Sequence, residues 1–239
     1  MKTYKTLLLD VDDTLLDFGA AEKVALQSLF KDQNLLLTDE VKSRYKEINH
    51  GLWKAFEEGK ISRDDVVNTR FSTLFNEFGI EVDGFLLEQS YQNYLGQGNQ
   101  LVEGAFELLT SLQHEFDLYI VTNGISKTQY KRLNAALIYP FFKDIFVSED
   151  TGYQKPMKEY FQYVFDRIPN VELDKILIIG DSFSADIIGG AGSGIDTCWL
   201  NPKMISNDSD VVPTYEIQKL DELYKILNIE QKVLVTSSN

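Results

Sequence analysis

The 239-residue chain holds one cysteine, Cys198, and two histidines, His50 and His114. A single thiol excludes an internal disulfide, which fits a reducing compartment. Two histidines leave little material for a histidine-rich zinc site or a Ser-His-Asp triad. No run of Lys or Arg forms a basic patch, and 37 acidic residues against 23 basic ones give a net charge of −14. Such a surface repels polymeric nucleic acid and anionic membrane. A small anionic substrate remains compatible, because one metal ion and one lysine reverse the sign locally. No segment reaches the ~18 apolar residues of a membrane span, and the start at Met1–Lys5 leads into too few apolar residues for a signal peptide. The expectation is a cytoplasmic protein with no membrane partner.

What is present is an ordinary globular composition, 44% hydrophobic and 25% charged, in a chain long enough for one large domain or two modest ones. The most informative stretch is Asp10-Val11-Asp12-Asp13-Thr14, directly after the apolar run Thr6–Leu9. A short apolar run ending in acids reads as a buried strand delivering carboxylates to its carboxyl end, where open parallel sheets bind ligands. Asp10 and Asp12, two apart, point the same way on a regular strand. Crowded carboxylates need a cation, or one of them must hold a proton.

Further apolar runs at Leu118–Thr122, Ile145–Ser148, Ile176–Gly180 and Thr197–Leu200 alternate with helical-period segments at Lys127–Leu137, Lys158–Arg167 and Ala185–Ala191. This alternation predicts an α/β fold, a doubly wound, Rossmann-like parallel sheet with helices on both faces. Between Phe18 and Tyr94 only helical signals occur. Ala21, Val24, Ala25, Leu26, Leu29 and Phe30 are assigned to one helical face. Thr38 is placed as an N-cap of a helix running to Glu58. Ser62 with Asp65 resembles a capping box, and Gly79 a stop. An all-α insertion therefore interrupts the core, giving a discontinuous core over 1–16 and 97–239 and a helical cap over 17–96. Leu16–Phe18 and Leu95–Asn99 are the expected hinges, about which the cap would close as a lid. The polar tail Thr236–Asn239 is expected to fray.

Three more signals sit at predicted strand ends. Thr122-Asn123-Gly124 offers a hydroxyl and backbone N–H groups before a helix start, which favours anions. Lys155-Pro156 follows the third strand. Gly180-Asp181-Ser182, with Asp186 beyond, ends the fourth. Each has an ordinary reading as a turn, a surface lysine before a helix-starting proline, or an N-cap. All four in this order, each at a strand's carboxyl end, would rarely coincide by chance. The glycine-rich run Gly189–Gly194 follows a helix instead of a strand, so it reads as a helix stop and not a dinucleotide site.

Asp10-x-Asp12-x-Thr14, Thr122-Asn123, Lys155 and Gly180-Asp181-x4-Asp186 resemble the four motifs of the haloacid dehalogenase-like hydrolase superfamily. The insertion falls where that superfamily carries a helical cap. Thr122-Asn123-Gly124, Phe146-Val147-Ser148-Glu149-Asp150 and Gly51–Gly59 add a closer likeness to its bacterial pyrimidine 5′-nucleotidase branch. The resemblance implies a Mg²⁺-dependent phosphatase acting on a small phosphorylated metabolite, a nucleoside 5′-monophosphate with pyrimidine preferred. Asp10 would be the nucleophile that forms an aspartyl phosphate, and Asp12 the general acid and base. The Asp10 carboxylate, the Asp12 carbonyl and Asp181 would hold Mg²⁺. Thr122, Asn123 and Lys155 would bind phosphate, and Asp186 would orient Lys155.

Alternatives stay open. A sugar-phosphate phosphatase or phosphomutase shares the whole core. A dehalogenase needs no leaving-group acid, so Asp12 argues against one. A phosphonate hydrolase would need a cap lysine, for which Lys23, Lys42, Lys46 and Lys54 are available. A binding module that lost activity would not keep the full set of acids and the lysine. For the nucleobase, Tyr45, Asn49, Trp53 and Phe56 share one helical face. Trp53 or Tyr45 would stack near the base and Asn49 read its edge; the plain alternative is that this face is the cap's own core.

Overall fold

The computed structural model describes residues 2–207 and 209–230; the expected fraying of Thr236–Asn239 lies outside the described residues. Six parallel strands form one sheet: β1 (Thr6–Leu9), β2 (Asp117–Thr122), β3 (Asp144–Val147), β4 (Ile176–Gly180), β5 (Asp196–Leu200) and β6 (Tyr215–Ile217). Their order is β3-β2-β1-β4-β5-β6, the doubly wound arrangement expected. The chain leaves β1 toward β2 on one side and later returns to β4 on the other. The carboxyl ends of β1 and β4 therefore flank the point where strand order reverses, which is where such sheets bind ligands.

The sheet's two faces come from strict alternation along each strand. Leu7 and Leu9 join Leu118, Ile120, Leu177 and Ile179 in one apolar cluster, covered by Leu108, Leu109 and Leu112 of one helix and Leu223 and Leu227 of another. Leu8 points the other way, with Val121, Ile176 and Ile178, under Tyr160, Phe161 and Val164. A strand buried on both faces reads as a continuous apolar run, which is why β1 to β5 are visible in the sequence. β6 is not among the expected strands. It has three residues, Tyr-Glu-Ile, at the sheet edge, and only Ile217 is buried.

The chain separates into two compact units, one of residues 1–18 and 99–239 and one of residues 19–98. The second is all-helical: α1 (Phe18–Asp32, which begins at the junction), α2 (Asp39–Glu57), α3 (Arg63–Glu77) and α4 (Gly84–Leu95). Thr38 caps α2 through its hydroxyl, and Ser62 and Asp65 form the reciprocal capping box at α3. Gly79 takes positive φ just beyond the end of α3. The face assigned to α1 needs one correction, because Val24 is 51% exposed and Glu22 is buried. At ~100° per residue, Glu22 falls in the middle of the stripe formed by Ala21, Ala25, Leu26, Leu29 and Phe30, and Val24 falls outside it. The core of this unit is aromatic, with Phe30 stacked on Phe75 and Tyr45 on Phe71.

In the first unit, helices α5 (Ala105–Leu112), α6 (Ser126–Ala135), α7 (Ser148–Thr151), α8 (Lys158–Phe165), α9 (Gly189–Gly192) and α10 (Glu222–Leu227) cover the sheet or link its strands. The segment Phe183–Ile188, which overlaps the start of the helical-period segment Ala185–Ala191, is a wider π turn. Turns of this kind recur at functional sites, and this one carries Asp186.

Candidate active site

Asp10 follows β1 with its backbone N–H still donated to Ile179, 3.0 Å away. Its carboxylate is therefore carried on the last rung of the central ladder. Lys155, 1% exposed, reaches in from the loop before α8. It donates to Asp10 Oδ1 at 2.7 Å, Asp186 Oδ1 at 2.6 Å and the Val121 carbonyl at 2.8 Å. Those three partners match the three protons of an ammonium. Asp186 is fixed at its other oxygen by the Ser182 backbone N–H at 3.1 Å. Gly180 makes this possible, since a Cβ there would lie 2.1 Å from Asp186 Oδ2. Asp181 completes the group. Its carbonyl accepts from Trp199 Nε1 at 2.9 Å, and carboxylate oxygens of Asp10, Asp181 and Asp186 lie within 4.8 Å of one another.

Three negative groups and one positive one share a buried space. Burial pushes the Asp10 carboxyl up to about 7 against the pull of Lys155, with Asp186 and Asp12 adding to the rise. Burial, then Asp10, Asp186 and Asp13, push Asp181 up to about 9. Burial also raises Asp186, opposed by Lys155 and the Ser182 N–H. The Lys155 ammonium would be lowered by burial, but Asp10 and Asp186 hold it well above its usual range. The cluster lacks positive charge. Its hard oxygen donors suit a hard divalent cation such as Mg²⁺. Asp186 is already spent on Lys155 and Ser182, which leaves Asp10 and Asp181 as the carboxylates able to hold one.

Asp12 lies to one side of this group. Its Oδ2 accepts from Gln129 Nε2 at 2.7 Å, and its Oδ1 pairs with the buried Arg132 guanidinium. Gln129 Nε2 also donates to Thr122 Oγ1 at 3.0 Å, and that oxygen accepts from the Gly124 N–H at 3.2 Å. The structure thus gathers Asp10, Lys155, Asp181 and Asp186 in one group and links Asp12 to Thr122 through Gln129 in a second, at the carboxyl ends of β1, β2 and β4. Asn123 follows Thr122 at the end of β2. Its side-chain amide donates to the Lys155 carbonyl and accepts from the Lys155 N–H, both at 2.9 Å. The amide clamps the lysine loop.

Gln129 and Arg132 were not legible in the sequence. Three apart on a polar helix, they look like part of a solvated face; in the fold they are buried against Asp12, just after β1, and Gln129 also against Thr122 at the end of β2. In the helical unit, Tyr45 is fully buried against Phe71 and Tyr91. Asn49 is buried too, with Oδ1 accepting from Arg70 at 2.9 Å and Nδ2 donating to Glu22 at 3.3 Å. The base-reading role expected of these two fails for a physical reason: one has no exposed face and the other no free amide atom. They form the unit's own core, the plain alternative. Trp53 is partly exposed, edge-on to Phe56.

Residues 7–200 match the haloacid dehalogenase-like hydrolase family. The chain belongs to that family. It is 64% identical over 233 residues to YfnB of Bacillus subtilis (strain 168), named as a HAD-hydrolase, covering 98% of this chain and 99% of that one. The orthorhombic crystal form of YfnB, bound to magnesium and described as revealing interdomain movement, superposes with a TM-score of 0.92 over 95% of this chain and all of that one. Pyrimidine 5′-nucleotidase PynA of Streptococcus pneumoniae is 44% identical over 96% of this chain and 98% of its own. Pyrimidine 5′-nucleotidase YjjG of Escherichia coli is 28% identical over 92% and 96%. Among the described residues, no helix is long and apolar enough to cross a membrane.

Proposed function

We propose that this chain is a Mg²⁺-dependent phosphatase that hydrolyses nucleoside 5′-monophosphates, pyrimidine nucleotides foremost, through an aspartyl phosphate on Asp10. The observation that carries the reading is the buried, anion-rich cluster of Asp10, Asp181 and Asp186 around Lys155 at the strand switch point. The pyrimidine nucleotidase relatives supply the substrate class.

In this reading an Asp10 carboxylate oxygen attacks phosphorus, and the ester P–O bond breaks toward the leaving alkoxide. Asp12 gives that alkoxide its proton. Asp12 then takes a proton from water as the water attacks the aspartyl phosphate, and breaking of the P–O bond to Asp10 restores both carboxyl groups. Lys155 and the Thr122 hydroxyl hold equatorial phosphate oxygens, where charge is spread in phosphoryl transfer. Asp186 keeps Lys155 aimed. A divalent cation held by Asp10, Asp181 and the Asp12 carbonyl supplies the positive charge the cluster lacks.

The test is phosphate release from a panel of nucleoside monophosphates and sugar phosphates, with Mg²⁺ and with EDTA. The expected result is pyrimidine 5′-monophosphates at the head of the panel, no turnover in EDTA, and a raised Mg²⁺ requirement in Asp181→Ala. Undiminished turnover in EDTA would overturn the metal assignment. A sugar phosphate ranking far above every nucleotide would move the substrate to the alternative within the family.

A further inference from the structure

We infer that Trp199 of β5, together with Phe183, is a positioning residue for Asp181, holding the main chain that carries this carboxylate where a divalent cation can be bound. The inference rests on Asp181 being a ligand of that cation. Of the three clustered carboxylates, Asp10 and Asp186 are each fixed by Lys155, and Asp186 also by the Ser182 N–H. The Asp181 carboxylate has no such anchor. Among the described residues it takes part in no hydrogen bond or ion pair, although its oxygen lies within 4.8 Å of the other two. Like charge pushes it away from them. Its place is therefore set by its own backbone.

Trp199 restrains that backbone at two points. Its Nε1 donates to the Asp181 carbonyl at 2.9 Å, and its ring meets Phe183 edge-to-face with centroids 4.7 Å apart. One side chain thus fastens the chain on both sides of Ser182, at the entry to the π turn Phe183–Ile188. The register of the sheet explains the reach. Trp199 pairs with Gly180 of β4, so the indole stands beside the chain as it leaves the strand for Asp181. An indole nitrogen only donates, and a buried one must find an acceptor. Trp199 is 4% exposed, and it spends its one N–H on the residue whose carboxylate lacks a partner. A phenylalanine would fill much of the same space without that bond.

That difference is the test. Mg²⁺ is titrated into the substrate-free full chain and followed by calorimetry, and turnover of p-nitrophenyl phosphate is measured against Mg²⁺ concentration. Trp199→Phe should weaken Mg²⁺ binding by ~10–100-fold, the usual cost of losing a partner that orients a metal ligand. Its turnover should recover as Mg²⁺ is raised. Phe183→Leu should weaken binding less, by ~2–10-fold, the worth of one aromatic contact. Asp181→Ala is the reference. In the Asp181→Ala background, Trp199→Phe should add no more than about twofold, because no carboxylate is left to aim. Unchanged Mg²⁺ affinity in Trp199→Phe, or the same loss with and without Asp181, would overturn the positioning role. Asp181→Ala with undiminished Mg²⁺ affinity would remove the ligand assignment, and the positioning role with it. Should Trp199→Phe fail to fold by thermal melting, Phe183→Leu carries the same cycle, and unchanged affinity there would overturn the role.

Discussion

In the helical unit, Arg70 meets Glu88 in a two-point fork, 2.7 Å and 2.6 Å long, under the ring of Tyr91. Asn49 extends the network to Glu22, and Gln92 donates to Glu88. At the carboxyl edge of the sheet, Lys155 faces two carboxylates with a third close by. Both clusters are buried, and both consist of charged groups on separate elements. The first pairs its one cation with Glu88 in the geometry a guanidinium prefers and ties the second acid, Glu22, in through the Asn49 amide. The second gathers more negative charge than it can neutralise. A network that satisfies itself holds a fold together. One left short of positive charge is prepared for a ligand that brings it, and it costs stability until the ligand arrives.

The sharpest way to break this comparison is to remove a single carboxylate from each. Asp10→Asn should abolish turnover, because an amide cannot attack phosphorus, and the metal-free variant should melt no lower than the parent protein. Turnover at the parent rate in Asp10→Asn would refute the nucleophile; a sharply lowered Tm would show that the core cluster is structural after all. Arg70→Met should do the reverse, destabilising by ~3–5 kcal/mol because Glu88 is left buried and unpaired. Pairing it with Glu88→Met should recover much of that loss, and chemical denaturation of both variants measures it.

The pH dependence of the metal-free protein comes next. Asp10 and Asp181 are raised in the folded state to about 7 and about 9, so the native state binds more protons than the unfolded chain. Stability should fall as pH rises from about 4, where the carboxyls of the unfolded chain ionise, to about 9, where Asp181 of the folded protein does. Added Mg²⁺ should offset the fall most at high pH, and Asp181→Asn should flatten it. Melting temperatures in EDTA across this range would contradict the scheme if they rose steadily.

The smallest effect is expected at Trp53, the member of the proposed base-recognition set with exposed surface. Stacking of a base is worth ~1–3 kcal/mol, so Trp53→Ala should raise KM for a nucleotide ~5–150-fold. Hydrolysis of p-nitrophenyl phosphate should stay nearly unchanged. Equal losses on both substrates with a lowered Tm would place Trp53 with Tyr45 and Asn49 in the aromatic core.

The sheet and the capped starts of α2 and α3 could be read from the chain because each is written locally. A strand buried on both faces needs consecutive apolar residues, and an N-cap needs its hydroxyl at one fixed offset. β6 and the buried face of α1 were harder. Three residues carry no period, and Glu22 hides among residues whose partners are elsewhere in the sequence. The acids at the ends of β1 and β4 were visible for the same local reason, since each follows its apolar run directly.

The sequence by itself determined the family, the parallel α/β core with its helical insertion, and the order of acidic and lysine positions along the chain. Tertiary structure decided what each polar side chain meets. It gave the Asn123 amide to the Lys155 backbone, Asn49 to Arg70, and Arg132 and Gln129 to Asp12. Elements are set by neighbours a few residues apart, which sequence spacing displays. Partners are set by elements dozens of residues apart, and burial makes each hydrogen bond obligatory only once those elements have packed.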